Sequence, residues 1–173
     1  MNNAIIKSIS LILILASIIT IFAPAVFAEE SIPSIPDLSE HSFVTIDEIE
    51  PETTVSALLA DTAVFETETV QIYDSDGFLL SGSDFVGNGA TVVISKNGDI
   101  SEVYKINLYG DIDCNGRINA ADLVEMRRIL ITADYTTYVF SADTTADGDC
   151  DILDLVRIKK YQIGLSQIPQ GRM

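Results

Sequence analysis

The spacing of apolar and polar positions changes several times along the chain. From Ile9 to Phe22 nearly every residue is apolar, behind a single cation at Lys7 and ahead of Val26-Phe27-Ala28. A basic start, an apolar stretch and a small residue at the end read as a secretory signal peptide over Met1–Ala28, cut after Ala28. The competing reading is an uncleaved membrane anchor, which wants about 20 continuous apolar residues. Ser8, Ser10, Ser17, Thr20 and Pro24 break the run, which favours the leader.

Glu29 to His41 shows no sustained period. It holds Pro33, Pro36, three serines and several acids, and reads as an exposed linker with no fold of its own. From Ser42 to Tyr109 the pattern becomes short β-type runs: Phe43–Ile46, Thr69–Tyr73, Ala90–Ile94 and Val103–Leu108. Turn signals fall between them at Asp76-Gly77, Gly82, Gly87-Asn88-Gly89 and Asn97-Gly98. After Pro51, Thr54 can cap a short helix carrying Val55, Leu58 and Leu59. Residues 42–109 are therefore predicted to form a small β-rich module with one short helix.

Beyond Gly110 the period becomes helical. Leu123, Met126 and Leu130 share one face of a predicted helix, and Leu155 and Ile158, with Tyr161 or Gln162, share one face of a second. The two faces can pack together. No clear helix precedes either one; a polar loop does. The fold class is α+β: the β-rich module, then an all-α unit over residues 110–170 built of two loop-helix repeats. No linker separates Tyr109 from Gly110, so the two modules are expected to dock rigidly.

Charge narrows the partners. The 173 residues carry 26 Asp and Glu against 10 Lys and Arg, a net charge of −16, and loss of the leader removes only the cation Lys7. Nucleic acid and anionic membrane surfaces are themselves negative and are disfavoured, so no nucleic acid and, after cleavage, no membrane is expected as partner. Cations are favoured wherever the carboxylates fall at ligand spacing.

They do so twice. Asp111, Asp113, Asn115, Arg117, Asn119 and Asp122 stand at positions 1, 3, 5, 7, 9 and 12 of a twelve-residue loop, and Asp143, Thr145, Asp147, Asp149, Asp151 and Asp154 stand at the same positions of a second. Glycine occupies position 6 in both, where the chain must turn sharply, and position 7 offers its carbonyl. Ca²⁺ takes six to eight oxygens from a flexible loop of this kind, whereas Mg²⁺ demands a stricter octahedron. One such loop can be an ordinary Asx-rich turn. Two copies at one offset, each leading into a helix with matching residues (Leu123, Val124 and Met126 against Leu155, Val156 and Ile158), point to two bound Ca²⁺ ions.

Asp at position 12 and the missing first helix set the pattern apart from a full helix-loop-helix EF-hand. With its two EF-hand-like loop-helix (F-hand) repeats, a connector of about a dozen residues and a tail from Gly164 to Pro169, the stretch from Gly110 to Gln170 resembles a type I-like dockerin. The resemblance implies Ca²⁺-dependent folding and tight binding to a cohesin module on a scaffold or cell-surface protein, commonly in an extracellular cellulosome that degrades polysaccharide. It also implies recognition positions. These are Ala120, Ala121, Arg127 and Arg128 in the first repeat, and Ile152, Leu153, Lys159 and Lys160 in the second.

The sequence departs from that pattern at three points. Thr145 replaces the usual Asp or Asn at position 3, and a neutral hydroxyl is a weaker Ca²⁺ ligand than a carboxylate, so the second site is expected to bind less tightly unless Asp149 or Asp151 compensates. The recognition pairs Ala-Ala and Ile-Leu are unlike each other, which argues against two equivalent binding orientations. Third, Cys114 stands at position 4 of the first loop and Cys150 at position 8 of the second. In a secreted chain they can bridge, closing a loop of about 36 positions worth about 4 kcal/mol in chain entropy. The alternative is a buried Cys150 beside an exposed Cys114.

Catalysis finds little support. Glu66 and Glu68 share a strand face, and Asp74, Asp76 and Asp84 sit near turns, where Asp is favoured for its backbone hydrogen bonding. His41 is the only histidine and both cysteines lie beyond Gly110, which removes His-based triads and the usual zinc ligand sets from the β-rich module. That module reads as non-catalytic. Glycan binding by it would rest on Phe65, Tyr73, Phe78, Phe85 or Tyr104, several of which the alternation turns inward. A third reading makes the whole chain a self-contained unit with no cohesin partner.

Overall fold

Strands and helices follow the two periods closely. The computed structural model describes residues 34–61, 68–133 and 139–171. The signal peptide over Met1–Ala28, the start of the spacer, Phe65 and Glu66 lie outside the described residues. No helix among the described residues is long and apolar enough to cross a membrane.

The elements are β1 (Val44–Ile46), α1 (Val55–Asp61), β2 (Glu68–Tyr73), β3 (Thr91–Lys96), β4 (Asp99–Ile106), α2 (Ala120–Thr132), α3 (Val139–Ala142) and α4 (Ile152–Gln162). Thr54 caps α1 as expected, its Oγ1 accepting the N–H of Ala57 at 3.2 Å. Asn97 and Gly98, both at positive φ, turn β3 into β4. The one-turn helix α3 ahead of the second loop was not expected: four residues with Phe140 exposed carry no readable period.

The sheet order is β1-β4-β3-β2. β2, β3 and β4 form an antiparallel meander, and β1 joins the far edge parallel to β4, with Val44 opposite Tyr104 and Ile46 opposite Ile106. Because side chains alternate across a strand, Ile72, Val92 and Ile106 face one side and join Ile49, Val55, Val86 and Ala90 in a core that also takes in Leu58 and Leu59 of α1. Tyr73, Val93 and Val103 face the other side. There they are covered by Ile35 and Leu38, from the stretch expected to be an exposed spacer. That stretch is tied down by its backbone, the N–H of Ile35 donating to the Gly77 carbonyl at 3.0 Å.

The helical half has its own core. Met126 and Ile129 of α2 meet Leu155 and Ile158 of α4, with Tyr109, Ile112, Ile118, Ala142 and Ile168 around them. Met126 and Ile158 are fully buried, and each such side chain contributes about 1.5–3 kcal/mol by leaving water. The tail closes the half: Gln170 accepts from the Tyr109 N–H at 2.8 Å and donates to the Tyr109 carbonyl at 3.1 Å. Both halves belong to one compact unit, Pro33–Met173.

Candidate metal centre

The two polar loops have one backbone trace. Position 4 is left-handed in both, Cys114 at φ 63° and Ala146 at φ 61°, and the glycines at position 6 have φ 78° and 88°. Position 9 caps the helix that follows, with φ and ψ of −138° and −167° at Asn119 and −138° and −166° at Asp151. Each cap is reciprocal. Asn119 accepts from the Ala121 N–H at 2.8 Å while Asp122 accepts from the Asn119 N–H at 2.7 Å, and Asp151 and Asp154 repeat this at 2.7 and 2.8 Å.

In the first loop Asp111 and Asp122 are fully buried. Asp122 Oδ1 accepts the N–H groups of Ile112 and Asp113 at 2.7 and 3.1 Å. Asp111 accepts those of Asn115 and Gly116 at 3.0 and 2.9 Å. Asn115 is linked to Asp113 through its side-chain amide at 2.7 Å. The Arg117 guanidinium lies 4.4 Å over the ring of Phe85, so the position-7 residue has only its main-chain carbonyl to offer the loop.

These residues fit a hard divalent cation. Carboxylate oxygens of Asp111, Asp113 and Asp122 all lie within 4.8 Å of one another. Oxygens sharing one Ca²⁺ at 2.3–2.6 Å can stand at most about 5 Å apart, so the three can converge on one ion. Protonation shows the same strain on the bare carboxylates. Burial, then the charges of Asp122 and Asp113, pushes Asp111 up to about 7, and burial with the charge of Asp113 pushes Asp122 up to about 6.

In the second loop Asp154 is fully buried and Asp143 accepts the N–H groups of Ala146, Asp147 and Gly148 at 2.7, 3.3 and 3.0 Å. Position 3 differs, since the Thr145 hydroxyl donates to Asp154 Oδ1 at 3.0 Å. Buried Thr144 adds a second hydroxyl against the same residue, 3.2 Å from its carbonyl and 3.3 Å from Oδ1. Spacing alone gave Thr144 no role.

A further set of partners was missed because it comes from the β-rich half. The Asn88 N–H donates to Asp111 Oδ2 at 2.8 Å, and the Asn88 side chain accepts from the Leu108 N–H at 3.2 Å. The Glu52 N–H donates to the Gly116 carbonyl at 2.8 Å, and Glu52 lies 3.7 Å from Arg117. From the other repeat, the Gln162 side-chain amide donates to the Asn119 carbonyl. In the sequence the Gly87-Asn88-Gly89 stretch signals only a turn.

Neither cysteine is paired in this structure. Each thiol has its own surroundings: Cys114 Sγ lies 3.8 Å from the Asn88 amide nitrogen, and Cys150 Sγ 3.9 Å from Met126 Sδ. Burial first, then nearby carboxylates, pushes both thiols up to about 11.

All eight expected recognition residues are exposed: Ala120, Ala121, Arg127 and Arg128, and Ile152, Leu153, Lys159 and Lys160. Ile152 and Leu153 retain 59% and 55% of their surface. Arg128 is paired with Glu125 at 2.7 Å. Among the described residues, three of the candidate carboxylates of the β-rich half are in structural use. Glu68 pairs with Lys96 at 3.4 Å, Asp74 accepts the N–H groups of Asp76 and Phe78 in its own turn, and Asp84 accepts both the N–H and the hydroxyl of Ser81 at 2.7 Å. Tyr73 is buried, Phe85 and Tyr104 are half-buried, and Phe43 and Phe78 are exposed.

Comparison with known families agrees with this arrangement. Residues 109–161 match the family of the dockerin type I domain, a stretch that spans both loops and nearly all of α4. No curated protein and no solved structure matches the chain.

Proposed function

We propose that the chain is a secreted, non-catalytic assembly component whose dockerin type I domain, loaded with two Ca²⁺ ions, binds a cohesin module on a scaffold or cell-surface protein. Dockerin type I domains bind Ca²⁺ and cohesin modules, and are themselves non-catalytic. The setting that fits is extracellular polysaccharide-degrading machinery, reached by way of the leader at Met1–Ala28. Asp111, Asp113, Asn115, Asn119 and Asp122, with the Arg117 carbonyl, would hold one ion; Asp143, Thr145, Asp147, Asp151 and Asp154, with the Asp149 carbonyl, would hold the other. Bound there, Ca²⁺ would neutralise the carboxylates gathered in each loop, while Asn119 and Asp151 cap the helices that follow.

The observation that carries the reading is the exposure of the eight recognition positions in a chain whose β-rich half lies against the first loop. Exposed Ile152 and Leu153, with the lysines at 159 and 160 on the same helix, offer a partner an apolar surface flanked by cations. Calorimetry of the mature chain against a panel of cohesins tests it, with nanomolar, chelator-sensitive binding expected. Binding to none of them by the Ca²⁺-loaded chain would favour the self-contained reading. Glycan binding by the β-rich half is a second reading, supported by the exposed rings of Phe43 and Phe78 and tested on a glycan array.

A further inference from the structure

Asp111 is fully buried at the junction of the two halves, and its carboxylate accepts main-chain N–H groups from Asn115 and Gly116 of its own loop and from Asn88 of the β-rich half. A carboxylate offers about four acceptor sites, so these donors fix its plane and leave limited capacity for the ion. The outside donor is itself held. Asn88 Oδ1 accepts from Leu108 at 3.2 Å, and its amide nitrogen lies 3.8 Å from Cys114 Sγ.

Gly87 lets the turn come this close. A Cβ at Gly87 would stand 2.2 Å from the Cys114 carbonyl oxygen, 2.7 Å from its carbon and 3.0 Å from the Gly116 nitrogen. These are main-chain atoms of the metal loop and cannot swing aside as a side chain would. Any larger residue must push the turn, and the Asn88 N–H with it, away from Asp111. A buried carboxylate that loses a donor keeps its desolvation cost without the compensating bond.

We propose that Gly87 and Asn88 are positioning residues for the first Ca²⁺ site, so that this site reaches its full affinity only while a turn of the β-rich half is seated against it. The inference rests on the reading that both loops hold Ca²⁺. It assigns the β-rich half a share in building the metal site, besides its share in the fold. Groups outside the ligand shell that orient the ligands typically contribute about 10- to 100-fold in metal affinity.

The repeat supplies an internal reference. Gly116 and Gly148, both at position 6, donate to the position-1 carboxylates at 2.9 and 3.0 Å, so their amide resonances report the two loops separately. Ca²⁺ alone is titrated into the chelator-stripped full-length chain, as wild type, Gly87→Ala and Asn88→Ala. In Gly87→Ala the Gly116 midpoint should move to about tenfold higher Ca²⁺ while that of Gly148 stays at the wild-type value. Asn88→Ala keeps the backbone donor but removes its brace, and should move Gly116 the same way by a smaller factor. It also carries the test if Gly87→Ala does not fold. An unchanged Gly116 midpoint in the folded variants overturns the inference, as does a shift shared equally by Gly116 and Gly148. A wild-type chain in which neither glycine responds overturns the Ca²⁺ reading of the loops, and this inference with it. Cohesin binding is not part of the readout, so failure of the partner reading stays separate.

Discussion

The Thr145 hydroxyl donates to Asp154 Oδ1 at 3.0 Å, whereas the equivalent residue of the first loop, Asp113, brings a carboxylate within 4.8 Å of Asp111 and Asp122. The two sites share a backbone and differ in charge. Replacing Thr145 by Asp adds a carboxylate at position 3 to those of Asp143, Asp147, Asp151 and Asp154, and the second site should gain about tenfold in Ca²⁺ affinity, as affinity follows ligand charge count. The Gly148 midpoint in a Ca²⁺ titration measures it; an unchanged midpoint would show that position 3 does not limit this site.

The pH dependence of the Ca²⁺-free chain should have an unusual sign. Asp111 and Asp122 are raised from 3.8 to about 7 and about 6, so between those values the folded state holds protons that the unfolded state has released. Stability present below the unfolded value is therefore lost as pH rises through the folded values. In chelator the chain should melt at a higher temperature at pH 5 than at pH 8. Saturating Ca²⁺ displaces those protons and should reverse the order. Circular dichroism melts at both pH values, with and without Ca²⁺, decide it.

Both thiols should be present and slow to react. With values near 11, the thiolate share at pH 7 is about one part in ten thousand. A thiol reagent should modify the native chain over hours and should count two thiols at once after denaturation. A count of zero would reveal a bridge.

The packed helices give a stability prediction. Met126 is fully buried between α2 and α4, and Met126→Ala should cost about 2–5 kcal/mol through lost burial and the cavity left behind. Chemical denaturation of the Ca²⁺-loaded chain measures this. A loss under about 1 kcal/mol would mean that the helices close the gap by moving together.

Partner binding should be lopsided. Ile152 and Leu153 are large, exposed and apolar, whereas Ala120 and Ala121 offer little surface. Leu153→Asp should weaken cohesin binding about 100-fold or more, the size of an interface anchor, with unchanged melting. Ala121→Asp should cost less than about tenfold. Equal losses from the two would indicate two equivalent orientations.

What could be read from the sequence was whatever is local. The twelve-residue loops, the helices after them and the turn glycines recur at fixed offsets, because each loop is braced by hydrogen bonds between residues close in the chain. Thr54 and the Asn97-Gly98 turn follow from short-range rules in the same way. The bond from Asn88 to Asp111 joins residues 23 positions apart through a backbone donor, which no residue type announces. Ile35 and Leu38 carry no period that marks them as cover for Val93 and Val103. The Thr144 hydroxyl braces Asp154 from position 2 of the loop, where the repeat pattern marks no side chain.

The parallel pairing of β1 with β4 sets an order of assembly. β1 at residues 44–46 has no partner until residues 104–106 have been made, so during synthesis the sheet keeps an open edge while the meander forms. The stretch that closes that edge is followed within a few residues by Asp111. As the chain emerges, the sheet's last strand and Asp111, the buried carboxylate that opens the first polar loop, thus arrive almost together.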